Sequence, residues 1–205
     1  QGNPVMAVDV AIIKGGGANI ASLRFALERL GATSMLTTDA GQIRSAPRVI
    51  LPGVGAAEDA MEKLHLAELD TVIPTLQQPL LGICLGMQLL FDGSEEDDTR
   101  CLGMIAGRAR LFEASDDRPV PHMGWNSVQK DNAPALLEGI DNNAYFYFVH
   151  SYAVDVTPAT IGTASYGRDF SAVVAQDNFM GTQFHPERSG KNGARLLQNF
   201  LTGVS

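Results

Sequence analysis

The sequence predicts an α/β protein built on an open, mostly parallel central sheet that is flanked by helices. In the first half, short apolar runs alternate with segments of helical periodicity, a pattern typical of parallel sheets covered on both faces. The second half carries more strand signals than helix signals, which indicates extra antiparallel strands in the C-terminal half. In such sheets, ligands bind beyond the carboxyl ends of the strands.

The first half is assigned in chain order. Strands are expected over 8–13, 34–37, 48–51 and 80–83. A helix that begins at Asn19 has one apolar face, formed by Ile20, Leu23, Leu27 and Leu30. A second helix, ahead of the last of these strands, has an apolar side formed by Met61, Leu64 and Leu69.

The second half is assigned in the same way. Strands are expected over 104–111, 145–152, 161–166, 171–176 and 180–184, followed by a closing helix over 190–201. The segment 145–152 is almost entirely aromatic or β-branched, which predicts a strand buried on both faces.

Composition indicates the class and setting of the protein. With 205 residues, 45% hydrophobic and 19% charged, we expect one globular domain over 1–205, with residues 1–5, ahead of Met6, read as a cloning remnant outside the fold. Two cysteines are too few for a disulfide framework, and no leader or spanning segment is apparent, so a cytoplasmic location is predicted. A net charge of −8 argues against nucleic acid and against anionic membrane surfaces as partners.

The sequence predicts neither a metal nor a cofactor. The four histidines are scattered without zinc-ligand spacing, and no Walker sequence occurs. Gly15-Gly16-Gly17 lies between a strand and a helix, but Ile20 stands where the third glycine of a dinucleotide fingerprint would be. A tight turn is therefore the favoured interpretation of these glycines.

The segment 80–90 has the layout of a nucleophile elbow. An apolar strand leads into Gly-x-Cys-x-Gly, centred on Cys84, and a second apolar run at helical spacing follows. Gly82 and Gly86 fit a turn in which close contacts exclude a Cβ. At the N-terminus of a helix Cys84 would be favoured as thiolate, the nucleophilic form. The alternative is a buried structural cysteine in a Gly-rich turn.

The second half supplies what a thiolate nucleophile requires. Residues 180–184 alternate like a strand and lead into His185-Pro186-Glu187. Pro186 disfavours helical angles at His185, which places the imidazole on extended backbone where Glu187 can orient it. Cys84, His185 and Glu187 are therefore candidate nucleophile, base and orienting group. Taken alone, His-Pro-Glu is equally consistent with an ordinary strand exit; combined with the elbow, catalysis is favoured.

These residues carry a resemblance to a known family. Gly-Ile-Cys-Leu-Gly-Met-Gln at 82–88 and Gln-Phe-His-Pro-Glu at 183–187 resemble class I (triad) glutamine amidotransferases, which have a flavodoxin-like fold. Four further segments are similar to the glutaminase subunits of imidazole glycerol phosphate synthase, from histidine biosynthesis: 52–55, 121–126, 147–152 and 185–190. The similarity spans 8–201. Lys14 departs from it, because the family usually has an acidic residue near that position.

The resemblance implies a mechanism. Cys84 would attack the side-chain amide of L-glutamine, His185 would transfer protons and Glu187 would hold the imidazole ring. The N–H groups of Leu85 and of the Gly53–Val54 region would form the oxyanion hole. Because glycine reaches positive φ cheaply, the Gly53–Val54 peptide is also predicted to rotate between two states. A rigid turn in which the glycines only permit close packing is the alternative.

The resemblance also implies a glutamine pocket at named positions. Its residues would be Gly55, Gln88, Glu96, Ser151 and Tyr152. Glu96 would bind the ammonium group of the substrate, whereas its neighbour Glu95 is interpreted as part of a solvated acidic run, 95–98.

A protein partner follows from the same resemblance. It is a (β/α)₈-barrel cyclase subunit that forms a heterodimer with this chain, receives the ammonia, and makes imidazole glycerol phosphate and an aminoimidazole carboxamide ribotide. Trp125, Tyr147 and Arg188 match interface positions of the family. A core role for the aromatic residues and an ordinary solvated role for Arg188 are the alternatives.

Three other functions are compatible with parts of the sequence. One is a triad glutaminase subunit that serves anthranilate, aminodeoxychorismate or pyridoxal phosphate synthesis, but such subunits lack the Pro-His-Met-Gly-Trp-Asn segment at 121–126. Another is a cysteine hydrolase that does not need glutamine. The third is a non-catalytic scaffold, which the intact Cys84, His185 and Glu187 disfavour.

Overall fold

The computed structural model describes residues 8–15, 20–131 and 134–204. The strands are β1 (Val10–Ile13), β2 (Ser34–Thr37), β3 (Arg48–Gly53), β4 (Leu80–Cys84), β5 (Phe91–Ser94), β6 (Ile105–Leu111), β7 (His122–Lys130), β8 (Ala144–His150), β9 (Tyr152–Val154), β10 (Thr160–Ser165), β11 (Asp169–Gln176) and β12 (Phe179–Thr182). The helices are α1 (Ile20–Arg29), α2 (Ala40–Ser45), α3 (Ala57–Leu66), α4 (Leu69–Val72), α5 (Leu85–Gln88) and α6 (Gly190–Thr202). None of these helices is both long enough and apolar enough to cross a membrane.

Within these ranges, one nine-stranded sheet forms the centre of the molecule, in the order β2-β1-β3-β4-β12-β11-β10-β7-β8. The strands from β2 to β12 run parallel to one another, and those from β12 to β8 pair antiparallel. A second sheet of three strands has the order β5-β6-β9. The predicted fold class is confirmed, including the antiparallel strands of the C-terminal half.

Helices cover both faces of the parallel part. Val10 and Ile12 of β1 belong to the same core cluster as α1 and α6, whereas Ala11 and Ile13 belong to the cluster that contains α2 and α3. All four side chains are 0% exposed. Because successive side chains point to opposite faces, a strand covered on both sides must be a continuous apolar run, and this is why the strand was readable in the sequence.

Two expectations for the first half are wrong. The apolar run after Cys84 does not continue as a helix: α5 has only 4 residues, and Phe91 pairs with Ile105 in the small sheet. The helix expected to include residues 61–69 is divided into α3 and α4, because Glu68 takes a left-handed conformation, φ 57°. In both places an apolar side chain is buried by contacts with distant parts of the fold. The spacing of apolar residues alone cannot distinguish such burial from the apolar face of a continuous helix. Asn19, the predicted start of α1, lies outside the described residues.

The prediction that 145–152 is buried on both faces is also wrong. Phe146 and Phe148 are 1% and 0% exposed, but Tyr145 between two buried neighbours is 58% exposed. The reason is position, since β8 is the last strand of the sheet order and only one of its faces is covered. The chain leaves this sheet after His150, and Tyr152 begins β9 of the small sheet.

Candidate active site

Three neighbouring parallel strands place the predicted catalytic segments at one edge of the sheet. β4 lies between β3 and β12, with Gly53 opposite Cys84 and Thr182 opposite Ile83. His185 follows the end of β12. Because parallel strands end at the same edge, Gly53, Cys84 and His185 are brought together from distant parts of the sequence.

Cys84 lies at a strained turn between β4 and α5. Its backbone has φ 56° and ψ −115°, a combination that costs a non-glycine residue about 1–3 kcal/mol. A Cβ on Gly82 would lie 2.6 Å from the carbonyl oxygen of Gly86, and a Cβ on Gly86 would overlap the carbonyl of Leu51. The two glycines therefore permit the close backbone contacts that hold the cysteine in this conformation.

The imidazole of His185 connects Cys84 to Glu187. Nδ1 of His185 lies 2.8 Å from Oε1 of Glu187, and Cys84 is the second group that acts on the charge of the ring. Burial by itself lowers the pKa of His185, but hydrogen bonds and negative charge from Cys84 and Glu187 outweigh it and raise the pKa to about 10. The ring is therefore an imidazolium at neutral pH. The helix that follows Cys84, α5, is only one turn long, so the helix dipole expected from the sequence is correspondingly short.

Two other groups surround the Cys84 sulfur. The amide Nε2 of Gln183 is 3.8 Å from Sγ, and the carbonyl oxygen of Val149 is 3.7 Å from it. Gln183 is 0% exposed. It belongs to one of the family segments, but its role was not foreseen, because a strand-end glutamine carries no chemical signal until the fold places it beside the nucleophile.

A cavity of about 340 Å³ opens in front of Cys84. Its walls include every residue predicted for glutamine binding: Gly55, Gln88, Glu96, Ser151 and Tyr152. Val54 and Leu85 line it too, with Cys84 and His185. Gly53 lies in the wall of an adjoining cavity of about 110 Å³ that also contacts His185 and Glu187. Sequence patterns assigned no role to Pro121, Val149 and His150, which complete the lining.

One wall of the cavity is negative. Oε2 of Glu96 accepts the N–H of Ala57 at 2.9 Å, which fixes the carboxylate at the start of α3. Burial first, and then the charges of Glu96, Asp97 and Glu95, raise the pKa of Tyr152. A cationic group is the favoured occupant of this wall. Glu95 itself points elsewhere and accepts the N–H of Leu111.

The two glycines around Val54 are required for different reasons. A Cβ on Gly53 would lie 2.8 Å from the backbone nitrogen of Gly86, so Gly53 permits close packing against the elbow. Gly55 has φ +90° and open space around its Cβ position, so it supplies backbone conformation instead. The segment thus combines a tightly packed end with a conformationally permissive one.

Trp125, Tyr147 and Arg188 form one cluster on the outer face of β7 and β8. Trp125 lies opposite Tyr147 in the sheet, with ring centroids 6.0 Å apart. The guanidinium of Arg188 lies 4.3 Å from the centre of the Tyr147 ring. Trp125 is 56% exposed, so it is not a core residue as the alternative interpretation held.

This cluster is bonded directly to the catalytic segment. The hydroxyl of Ser189 accepts the N–H of Tyr147 at 3.0 Å and donates to the carbonyl of His185 at 2.6 Å. The N–H of His185 donates to the carbonyl of Tyr147 at 3.0 Å. A movement of Tyr147 would therefore displace the backbone of His185.

Fold and site together define the class of the protein. A thiol at a strained strand-to-helix turn, an imidazolium beside it and a buried carboxylate are the parts of a cysteine–histidine–carboxylate hydrolase. The family model for class-I glutamine amidotransferases matches residues 18–204, and the crystal structure of a glutamine amidotransferase has the same fold, with a TM-score of 0.74 at 15% identity over 96% of this chain and 100% of that chain. The chain belongs to the class-I glutamine amidotransferase family.

Relatives with higher identity define the group within that family. The imidazole glycerol phosphate synthase subunit HisH of Xanthomonas axonopodis pv. citri (strain 306) is 50% identical over 193 residues, which cover 94% of this chain and 96% of that protein. The HisH subunit of Vibrio cholerae serotype O1 is 48% identical over 202 residues, with coverage of 96% and 99%. Within its family, the chain belongs with the HisH subunits of imidazole glycerol phosphate synthase.

Proposed function

We propose that this chain hydrolyses L-glutamine to glutamate and ammonia and delivers the ammonia to a (β/α)₈-barrel cyclase subunit in histidine biosynthesis, in the cytoplasm. The observation that carries the proposal is the Cys84–His185–Glu187 arrangement at the floor of a cavity with a negative wall. The cavity suits an amino acid, because its far wall can bind an ammonium group while its floor presents a nucleophile.

The first half-reaction forms a thioester. The Cys84 thiolate attacks the side-chain carbonyl carbon of glutamine, and the negative charge moves to the carbonyl oxygen. Backbone N–H groups of Leu85 and of the Gly53–Val54 region would stabilise this oxyanion. When the C–N bond breaks, His185 gives its proton to the departing nitrogen, which leaves as ammonia.

The second half-reaction releases glutamate. His185, now neutral, removes a proton from water as the water attacks the thioester carbon. The C–S bond then breaks, and the thiolate–imidazolium pair is restored. Glu187 holds the ring in place in both steps through its 2.8 Å contact with Nδ1 and stabilises the imidazolium form.

The pocket residues have separable roles in this scheme. Glu96 would bind the α-ammonium group of glutamine from the negative wall. Ser151, between β8 and β9, and Tyr152, the first residue of β9, would bind the head group on the other side. Both hydrogens of the Gln88 amide nitrogen are committed, to the carbonyl of Tyr152 and to Oε1 of Gln183, each at 2.8 Å, so Gln88 would organise the pocket as well as line it.

The cluster formed by Trp125, Tyr147 and Arg188 is the proposed docking face for the cyclase subunit. It is exposed, aromatic and next to the active site, and aromatic and arginine side chains are enriched in protein interfaces. The hydrogen bonds through Ser189 would let the partner act on His185.

A glutaminase assay of the purified chain tests this function. We expect slow glutamate release from the chain alone and faster release when the cyclase subunit and its nucleotide substrate are added. A stable complex that releases no glutamate under any condition would favour the scaffold interpretation. Activation by an anthranilate-type synthase instead of the barrel cyclase would favour the rival glutaminases.

Substitution of Trp125 tests the docking face. Trp125→Ala should weaken binding of the cyclase subunit about 30-fold, the effect expected of an aromatic hot spot, as measured by calorimetric titration. Phe25→Ala is the matched control, since Phe25 is 59% exposed but lies on α1. Equal affinity of both variants would exclude Trp125 from the interface.

A further inference from the structure

Two buried histidines lie outside the triad and are bonded to each other. His122 and His150 are 4% and 6% exposed, and Nδ1 of His122 lies 2.8 Å from Nε2 of His150. Nδ1 of His150 lies 2.8 Å from the carbonyl oxygen of Tyr152. Neither residue is needed in the mechanism above, so their burial and pairing require another explanation.

The hydrogen bonds of this pair fix the tautomer of each ring. The carbonyl of Tyr152 can only accept, so the proton of His150 is on Nδ1. Neutral His150 must then accept at Nε2, which places the proton of His122 on its Nδ1. Nε2 of His122 is left to accept from the amide of Asn126, 3.5 Å away. Burial is the main reason that the pKa of His122 falls to about 4 and that of His150 to about 3, so both rings are neutral at pH 7.

The series of bonds continues from this pair to the nucleophile. The Tyr152 carbonyl that accepts from His150 also accepts from Nε2 of Gln88 at 2.8 Å. The same nitrogen donates to Oε1 of Gln183 at 2.8 Å, and Nε2 of Gln183 is directed at the Cys84 sulfur at 3.8 Å. A single polar network therefore runs from His122 on β7 to Cys84 on β4.

Aromatic packing holds the rings in these orientations. The ring of His122 stacks on Tyr166 with centroids 4.1 Å apart and on Phe148 at 5.1 Å. Phe112 packs edge-on against His150 at 5.2 Å. Because the two rings are closely packed, they cannot rotate to find other hydrogen-bond partners. A loss of the hydrogen bond at His122 therefore affects the groups that follow it in the network.

We propose that His122 and His150 are positioning residues that place the Tyr152 carbonyl, and through it Gln88 and Gln183, around glutamine and Cys84. They connect β7, the strand that also carries Trp125 of the docking face, to the glutamine cavity. This inference rests on the proposed glutaminase function. It assigns the pair no proton transfer and no contact with the reacting atoms.

Kinetics of the assembled complex test the inference. His122→Phe keeps the aromatic packing but leaves Nε2 of His150 without a donor, and the loss of one buried hydrogen bond predicts about a 10–100-fold lower kcat/KM for glutamine. The ammonia-dependent synthase rate should be unchanged, because it bypasses the cavity. His122→Asn, whose amide nitrogen can take the place of Nδ1, should recover most of the loss.

Ser171→Ala is the matched control for stability. The hydroxyls of Ser171 and Thr160 form another buried pair, 2.7 Å apart, and neither residue lines the cavity. If His122→Phe lowers the melting temperature as Ser171→Ala does and changes kcat/KM for glutamine no more than that control, the pair is structural only and the inference is overturned. Absence of glutaminase activity in the unsubstituted complex would instead reject the proposed function.

Nitrogen NMR of the unsubstituted chain provides a test that does not depend on any variant folding. At pH 7, ¹⁵N shifts should show His122 and His150 as neutral rings with the proton on Nδ1, and His185 as a protonated ring. A proton on Nε2 of His150, or a charged ring at either position, would contradict the network and overturn the inference, whatever the state of the glutaminase.

Discussion

Cys84→Ala is expected to abolish glutamine hydrolysis and to leave the fold and partner binding intact. Removal of a nucleophile that acts as part of a triad costs on the order of 10³-fold or more in rate. Alanine should fit the turn, because Cys84 already carries a Cβ at φ 56° and the smaller side chain makes no new contact. The measurement is glutamate release by the complex, together with synthesis driven by added ammonia, which should persist.

The other cysteine is the matched control for this variant. Cys101 is also buried, and burial raises the pKa of its thiol to about 11, so it is the unreactive thiol of the protein. Cys101→Ala should retain hydrolysis. Near-normal glutamate release by Cys84→Ala would mean that another group attacks the amide, and the elbow would then have to be read as structural.

His185→Asn is expected to have an effect of similar size. Asparagine can neither give a proton to the leaving nitrogen nor take one from water, so about 10³-fold or more of turnover should be lost. Glu187→Gln should be milder, because a glutamine oxygen can still accept from Nδ1. The effects of both substitutions are measured as steady-state glutaminase rates of the complex. Wild-type rates for the two variants would reject the assignment of a catalytic triad.

The pH dependence of the two residues follows from the same contacts. With the pKa of His185 raised to about 10, the imidazolium is present at neutral pH and is lost as pH rises through that value, so activity should fall on the alkaline side near pH 10. In Glu187→Gln a negative charge beside the ring is gone. The pKa of His185 must then fall, and the alkaline limb should move to lower pH.

A second histidine–carboxylate pair supplies the control for these variants. Nδ1 of His65 lies 2.9 Å from Oδ2 of Asp70, on the surface of the molecule. His65→Asn removes the same chemical group from a pair that does not line the cavity. It should change neither the rate nor the alkaline limb, and an alkaline limb that shifts equally in His65→Asn would show that the profile does not report on His185.

Local signals in the sequence were enough for the parallel half of the sheet and for the strained turn at Cys84. The strands β1 and β4 are readable because both of their faces are covered, which makes them short uninterrupted apolar runs. Gly82 and Gly86 are readable because the elbow leaves no room for a Cβ. In each case the physical constraint acts on the residue itself or on its immediate neighbours in the chain. It therefore restricts the residue types at those positions, and this restriction is visible in the sequence.

Only the tertiary structure decided what depends on distant partners. The single covered face of β8 and the exposure of Trp125 on β7 follow from the place of these strands at the end of the sheet order. Helix α5 is short because Phe91 pairs with Ile105 in the small sheet. Periodicity encodes neither of these arrangements. Gln183 and His150 are ordinary polar residues in the sequence. They acquire roles because of where the fold places them. Gln183 lies beside Cys84, which is 99 positions away along the chain, and His150 lies beside His122, which is 28 positions away. Hydrogen bonds over such separations are specified by the packing of the whole sheet, and no local pattern records them.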